Sequence, residues 1–347
     1  MTWGSAKSNQ FGIVNGTRQG SILSLYFFAV YMDELLQRLR SLGVGCHIGD
    51  IFFGAAGFAD DIILISPSRT AMQQMLTVCE EYAVENNLLF STDDNPEKSK
   101  TKCIFMCGKL GAVQYPAPLK LDGRDLPWVV KGTHLGHELH QSCNMEFDAK
   151  CKRAAFIDKS TDIRLMFSFA SPHQVLSAVN LYAAHFYGSM LWDLSSDAAG
   201  QAYRTWNTCV KLAWDIPRWT HNYFVDSLLA GELPSIRKKV MCQYVNFFQK
   251  LRVSPLREVR VLANVVGRDM GSVTGRNLLH LKDVFNLDPW TESVGKFKKM
   301  YTGYLVPEVD SWRLTLLERL LAQRREMVVC EEEVEAITEL IESLCSS

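Results

Sequence analysis

Two adjacent aspartates, Asp60 and Asp61, interrupt an apolar run in the sequence AAGFADDIILIS, residues 55–66. The aliphatic residues on either side are typical of a buried strand. A buried carboxylate without a partner is unstable, and two neighbouring carboxylates also repel each other. The pair must therefore lie in solvent at a turn, face basic side chains, or bind cations.

Divalent cations explain this feature best. Two carboxylates at the bend of a β-hairpin can bind Mg²⁺, a hard ion that prefers oxygen ligands. Apolar strands on both sides would hold the two side chains rigidly, as a catalytic site requires. The alternative is an ordinary acidic turn between strands, and the two aspartates taken alone leave that alternative open.

Composition allows a globular protein with a real core. The chain has 347 residues, of which 47% are hydrophobic, and its formal net charge is -1. The net charge differs along the chain. It is +4 for residues 95–164 and +6 for residues 204–260, whereas the segment after Arg325 contains seven glutamates and no basic residue. The basic middle of the chain suits a polyanionic partner, although a solvated helical surface would show the same excess of basic residues.

Ten cysteines are present and none forms a CxxC pair, which indicates reduced, intracellular thiols rather than a zinc ribbon. No apolar stretch is long enough for a signal peptide or a membrane span, so no membrane partner is expected. A possible metal set recurs at every third position, at His134, His137, His140 and Cys143. A strand would place these side chains on opposite faces, and only a 3₁₀ turn could bring them together.

Periodicity predicts an α+β fold. A helix is expected over SLYFFAVYMDELLQRLRSLG, residues 24–43, with Phe27, Phe28, Tyr31, Leu35 and Leu39 on its apolar face. Residues 45–66 read as one β-hairpin. Ser68 is expected to cap a helix whose apolar face is Met72, Met75, Leu76, Cys79, Tyr82 and Ala83. Short strands should follow at NLLFS, KCIFM, LKLDG and THLGHEL.

Past Phe147 the pattern becomes helical and is punctuated by prolines. Two long helices are predicted there, EFDAKCKRAAFIDKSTDIRLMF and HQVLSAVNLYAAHFYGSMLW. We therefore expect three domains: residues 1–148, an antiparallel sheet backed by helices; residues 149–290, all-helical; and residues 291–347, a helical tail of unknown role.

Four motifs, in order, resemble those of reverse transcriptases. NGTRQGSILS resembles a glycine–glutamine motif, FADD the catalytic-core motif, NPEKSKTKCIFM a lysine-bearing motif, and THLGHEL the primer-grip hairpin. The strings YGSMLWDL and WDIPRWTHNYFVDSLL are similar to polyproteins of LINE-type (non-LTR) retrotransposons. Residues 1–148 would then be a partial polymerase palm and residues 149–290 a thumb.

The resemblance implies RNA-directed DNA polymerase activity with an RNA template, a DNA primer, dNTP substrates and two Mg²⁺ ions about 4 Å apart. It assigns metal binding and catalysis to Asp60 and Asp61, and catalysis at the triphosphate to Lys98. Substrate and template binding would fall to Arg18, Gln19, Gly20 and Phe58, and the primer grip to His134, Leu135 and Gly136. It also implies nuclear action, although no targeting signal is visible. The oligomeric state stays open.

The family also uses an aspartate from an earlier strand, and only about eighteen residues precede the glycine–glutamine motif here. Neither Asp33 nor Asp50 is placed to replace it. We therefore expect a fragment that lacks the fingers and has little or no polymerase activity by itself. The alternative is a non-catalytic nucleic-acid-binding remnant or a decayed retroelement fragment, which would bind duplexes in a salt-dependent way independently of Asp60.

Overall fold

The computed structural model describes residues 2–3, 6–7, 9, 22–93, 95, 98–107, 114–220, 222, 225, 236–293 and 295–296. The chain divides into two compact units. The first consists of Met1–Phe105 and Gly111–Val130, and the second of Met106–Leu110 and Lys131–Ser347. Helices combine with short antiparallel strand pairs, which confirms the predicted α+β class.

The first unit contains two described helices, α1 (Ile22–Ser41) and α2 (Arg69–Glu85). Helix α2 begins as predicted, because the Ser68 hydroxyl accepts a hydrogen bond of 3.2 Å from the Ala71 backbone N–H. The predicted apolar face is also confirmed, with Met72 half-buried and the remaining five residues buried: Met75, Leu76, Cys79, Tyr82 and Ala83.

Helix α1 buries a narrower face than its periodicity predicts. Leu35 and Leu39 are buried as expected, and Met32 joins them. The prediction is wrong for Phe27 and Tyr31, which are 56% and 39% exposed, whereas Phe28 is half-buried. The core that α1 shares with α2 and the neighbouring hairpin is built on Met32, Leu35 and Leu39, in the second half of the helix, and it does not include Phe27 or Tyr31.

Strands in the described residues pair two by two, each with its neighbour in sequence and all antiparallel. The five pairs are β1 (Thr2–Trp3) with β2 (Ala6–Lys7), β3 (His47–Ile48) with β4 (Ile51–Phe52), β5 (Ala55–Phe58) with β6 (Asp61–Leu64), β7 (Lys120–Leu121) with β8 (Arg124–Asp125), and β9 (Lys131–His134) with β10 (His137–His140).

The segment 45–66 forms two hairpins instead of the single predicted one. Gly49 adopts a φ of 61° and permits a tight turn between β3 and β4, which the single-hairpin interpretation overlooked. The two hairpins are joined by backbone hydrogen bonds, from Cys46 N–H to Ile65 C=O at 3.1 Å and from Ile65 N–H to Gly54 C=O at 2.7 Å.

Two predicted strands do not form. NLLFS has no ladder partner, and KCIFM contributes only an isolated parallel bridge between Cys103 and Trp128. The Cys103 backbone exchanges its hydrogen bonds with Pro127 and Val129, which satisfies its polar groups without a continuous ladder. LKLDG supplies β7, and THLGHEL lies within the β9–β10 hairpin.

The second unit is mainly helical. Its described α-helices are α3 (Glu146–Met166), α4 (Pro172–Tyr182), α5 (Asp197–Ala213), α6 (Ile236–Arg252), α7 (Arg257–Arg268) and α8 (Val273–Phe285), and a 3₁₀ turn spans Ser189–Leu191. Helix α4 stops ten residues short of the predicted Trp192. Phe186 and Gly188 take positive φ angles of 40° and 82°, which a continuing helix does not allow.

Large aromatic side chains fill the core of this unit, including Phe156, Trp192, Trp206, Tyr244 and Phe248. None of the helices in the described ranges is long and apolar enough to cross a membrane. The eight cysteines with described positions carry free thiols. Burial raises the pKa of the Cys79 thiol to about 12, so this thiol is protonated and chemically inert at neutral pH.

Candidate functional site

The acidic pair lies at the tip of the β5–β6 hairpin. The strands pair from Ala55 with Leu64 to Phe58 with Asp61, which leaves Ala59 and Asp60 as a two-residue turn. Asp60 therefore lies in the turn, and Asp61 is the first residue of β6. This is the position near a hairpin bend that the sequence predicts.

The two faces of this hairpin have opposite characters. Ala55, Ile62 and Leu64 pack against the core formed by α1, α2 and Phe52. Because side chains alternate along a strand, Phe58 and Asp61 lie together on the other face, and the Phe58 ring is 68% exposed. The hairpin is therefore anchored through one face and presents its acidic tip and one aromatic ring to solvent.

Both carboxylates are available to a ligand. Asp60 and Asp61 are exposed, and neither carboxylate makes a hydrogen bond or ion pair with any other residue that the structure describes. No guanidinium or ammonium group neutralises them within this part of the chain. Two solvent-facing carboxylates on an anchored turn fit a hard divalent cation, whose preferred ligands are carboxylate oxygens and water.

The pair supplies only part of a metal-ligand set. Within the described residues, no three histidine, cysteine, aspartate or glutamate side chains gather closely enough to hold a metal ion. That finding also contradicts the alternative metal set of the sequence. His134 and His137 face each other across the β9–β10 hairpin, whereas the His140 ring stacks on Phe147 with centroids 3.9 Å apart.

The turn that carries Asp60 is conformationally strained. Ala59 adopts a φ of 52°, in the left-handed region where a Cβ is disfavoured by roughly 1–2 kcal/mol. Glycine is the ordinary residue in such a turn. Strain of this kind persists where the surrounding structure enforces it, and it is common at functional sites.

The stability of variants at Ala59 should follow how well each residue type tolerates a left-handed backbone conformation. We expect Ala59→Gly to raise the free energy of unfolding by up to about 1 kcal/mol, and Ala59→Val to lower it by about 1 kcal/mol or more. Urea denaturation measures both changes. Ala56→Gly, at an exposed strand position of the same hairpin, is the control and should be destabilising. A loss of stability in Ala59→Gly would contradict the strain.

Lys98 lies in the same compact unit, in a turn where its backbone N–H donates to the Asn95 carbonyl at 3.0 Å. Its side chain is exposed, and no hydrogen bond or ion pair joins it to Asp60 or Asp61. The ammonium group therefore remains available to an external anion. The other predicted substrate residues of this unit, Arg18, Gln19 and Gly20, lie outside the described residues.

The predicted primer-grip residues form the turn of the β9–β10 hairpin. His134 pairs with His137, and the two residues between them, Leu135 and Gly136, have φ angles of 48° and 77°. Two consecutive positive φ angles are the signature of a type I′ turn, whose twist matches that of the strands it joins. The segment is thus a well-defined turn within the second unit.

A buried carboxylate holds this hairpin onto helix α3. Asp148 is fully buried and accepts hydrogen bonds from the Glu138 backbone N–H at 3.1 Å and from the Trp192 indole N–H at 3.0 Å. Its Oδ1 also lies 3.6 Å from Nδ1 of His137. A buried carboxylate needs several donors to stay in place, so Asp148 ties the hairpin, the helix and the Trp192 segment into one structure.

Two further side chains support the turn from outside. The Lys152 ammonium donates to the Gly136 carbonyl at 2.5 Å, and the His137 ring stacks on Tyr187 with centroids 5.0 Å apart. Gly188 follows, and a Cβ at that position would overlap the His137 ring. In the sequence, YGSMLWDL is notable only because it resembles retrotransposon polyproteins. Nothing local in that string indicates that it packs against residues about fifty positions earlier.

Comparison with known proteins finds two matches to this chain. Residues 3–139 match the family model described as reverse transcriptase (RNA-dependent DNA polymerase). Over 69 residues the chain is 38% identical to the retrovirus-related Pol polyprotein from type-2 retrotransposable element R2DM of Drosophila melanogaster. That match covers 20% of this chain and 6% of the polyprotein, so the chain spans only a small part of this relative.

Proposed function

We infer that residues 3–139, which match the reverse transcriptase family model, are a reverse transcriptase segment of the non-LTR retrotransposon type, and we propose that the chain takes part in RNA-directed DNA synthesis. Its template would be RNA, its primer DNA and its substrates dNTPs. Residues 1–148 would act as part of the polymerase palm and residues 149–290 as a thumb. Action in the nucleus, where chromosomal DNA can serve as primer, belongs to the same proposal.

One observation carries the proposal: two exposed carboxylates, without a partner among the described residues, lie at the tip of an anchored hairpin. Polymerases of this family use divalent metals. Mg²⁺ at these carboxylates would activate the primer 3′-hydroxyl and stabilise the leaving pyrophosphate. Asp60 would be the main ligand, and Asp61 would be a second ligand or a charge that tunes the site. Because the described residues offer no third ligand, further oxygens must come from substrate, solvent or residues outside that part.

The remaining residues would position substrates. The exposed ring of Phe58, on the same face as Asp61, could pack against the nucleotide, and the exposed ammonium of Lys98 could contact triphosphate oxygens or donate a proton to the pyrophosphate. Arg18 and Gln19 would contact the templating base pair and phosphates, and Gly20 would permit close approach of the backbone to the nucleotide.

The turn at His134–Gly136 would contact the primer strand. The turn is held in place by Asp148, Lys152 and Tyr187. These contacts would keep it from moving when a duplex binds. Basic side chains of the second unit would bind duplex backbone without reading its sequence.

Primer extension tests the proposal. The full chain is incubated with an RNA template, an annealed DNA primer, labelled dNTPs and Mg²⁺, and parallel reactions contain EDTA or a template of different sequence. We expect weak templated incorporation that requires the metal, because the described residues supply only part of its ligand set. Duplex binding that weakens with added salt but never leads to incorporation would instead support the non-catalytic nucleic-acid-binding alternative.

A further inference from the structure

A cavity of about 430 Å³ lies in the second unit, where it is lined by the segment after α4 and by helix α6. Its volume is within the range of small-molecule sites, about 300–1,000 Å³. Four of its lining side chains are apolar or aromatic, namely Phe186, Tyr187, Met190 and Phe247. The cavity therefore offers an apolar surface that suits a flat ring.

The two walls of the cavity are joined by the side chain of Gln243. Its Oε1 accepts a hydrogen bond of 2.7 Å from the Ser189 hydroxyl, and its Nε2 donates to the His185 carbonyl at 3.4 Å. Gly188, between these two residues, has a φ of 82°, which glycine adopts without steric cost. The cavity is thus held open by fixed contacts, and a ligand would lose little free energy in ordering it.

Tyr187 connects this cavity to the primer-grip turn. Its ring stacks on His137 with centroids 5.0 Å apart and planes 22° apart, yet the residue is 61% exposed. A Cβ on Gly136 would lie 3.5 Å from the same ring, so the ring borders the turn at His134–Gly136. An exposed aromatic ring that is held in one orientation is the surface on which nucleic-acid bases stack.

The charges beside this ring favour a polyanion. Lys250 lines the cavity and is exposed, and its ammonium makes no ion pair or hydrogen bond with the other described residues. The Lys152 ammonium lies 5.6 Å from the centroid of the Tyr187 ring. Among the described residues that line the cavity, none is acidic. An aromatic surface next to two ammonium groups suits a base whose neighbouring phosphates are negatively charged.

We propose that this cavity holds an unpaired base of the DNA primer strand, stacked against Tyr187 with a neighbouring phosphate at Lys250. The exposed amide of Asn246, which also lines the cavity, can both donate to and accept from the edge of a base. The proposal rests on the proposed function, which brings the primer strand to the adjoining turn. Because a base inside a duplex has its faces covered by its neighbours, the cavity should take single-stranded DNA and not duplex DNA.

Fluorescence anisotropy of a labelled single-stranded oligothymidylate, titrated with the full chain, tests this proposal. Tyr187→Leu removes the aromatic ring and should weaken binding about tenfold. Tyr182→Leu is the matched control, because Tyr182 is 64% exposed on α4 and does not line the cavity, and it should leave the affinity unchanged. Lys250→Gln should weaken binding and lower the slope of log affinity against log salt by about 0.7, the value for one phosphate contact on a single strand.

An abasic oligonucleotide of the same length separates stacking from charge. It keeps the phosphates, so it should bind the wild-type chain about as weakly as oligothymidylate binds Tyr187→Leu, and Tyr187→Leu should not weaken it further. Equal weakening of both oligonucleotides, or no effect on either, would overturn the proposal. Lys250→Gln alters an exposed side chain, so an unchanged salt slope in that variant would also overturn it if Tyr187→Leu fails to fold.

The binding assay requires no incorporation of nucleotides, so its outcome is independent of primer extension. A chain that binds oligothymidylate through Tyr187 but extends no primer would contradict the proposed function and still support a base site in this cavity. A chain that extends primers but binds both oligonucleotides equally well with and without the Tyr187 ring would keep the proposed function and overturn the base site.

Discussion

Replacing Asp60 by asparagine should reduce metal-dependent nucleotide incorporation about a thousandfold. The substitution keeps the size of the side chain but removes the charge that a divalent cation requires. Because Asp60 makes no ion pair or hydrogen bond with the other described residues, the fold should lose little. A loss of several kcal/mol of transition-state stabilisation corresponds to about three factors of ten in rate. Single-turnover primer extension with excess protein measures the change.

Asp50→Asn is the matched control for this experiment. Asp50 occupies the same place in the turn of the β3–β4 hairpin that Asp60 occupies in β5–β6, since each follows the first residue of a two-residue turn. The control should retain the wild-type rate. An equal loss of rate in both variants would show that negative charge near either hairpin tip matters in general. An unchanged rate of incorporation in Asp60→Asn would show that Asp60 is not part of the catalytic site.

Gly188→Ala should lower the free energy of unfolding by about 3 kcal/mol. The φ angle of 82° alone disfavours alanine by roughly 1–2 kcal/mol, and the new Cβ would overlap the His137 ring. That ring has little room to move, because it stacks on Tyr187 and lies beside the buried Asp148. Relieving the overlap should therefore dislodge the β9–β10 hairpin at a further loss of about 1–3 kcal/mol. Urea denaturation monitored by tryptophan fluorescence gives the change.

Gly136→Ala separates the two contributions. Gly136 has a similar φ of 77°, but a Cβ there would meet Tyr187 at an ordinary 3.5 Å, so we expect only the backbone penalty of about 1–2 kcal/mol. Adding His137→Ala to Gly188→Ala should recover part of the loss, because the substitution removes the ring that is overlapped. Equal effects of the two glycine variants, or no recovery in the double variant, would show that the His137 contact is not the cause.

Local sequence signals predict the elements that depend on local interactions. Ser68 and the apolar spacing that follows it define α2 correctly, because a cap and a helical face are both encoded within a few turns. Helix α1 shows where this fails, since the exposure of Phe27 depends on which neighbouring elements reach it. The ladder that KCIFM lacks depends in the same way on distant residues, Pro127 and Val129, which local propensity does not register.

One part of the candidate site is likewise predictable from local sequence, and another part is not. The position of Asp60 and Asp61 at a hairpin tip follows from polar residues placed between two apolar strands, which is a local pattern. The contacts that support the primer-grip turn do not follow from a local pattern. Asp148 reads as an ordinary residue in the first turn of a helix, and its burial and three neighbours appear only when the Trp192 segment folds back onto α3.

Manganese binding tests the central claim most directly, because Mn²⁺ takes the oxygen ligands that Mg²⁺ prefers and broadens the NMR signals of nearby amides. On titration of the full chain, we predict that the amide signals of residues 58–62 broaden first, and that the Asp60→Asn/Asp61→Asn double variant loses this effect. Asp50→Asn should keep it. Broadening that starts elsewhere in the chain, or that persists at residues 58–62 in the double variant, would contradict the assignment of these two carboxylates to a metal.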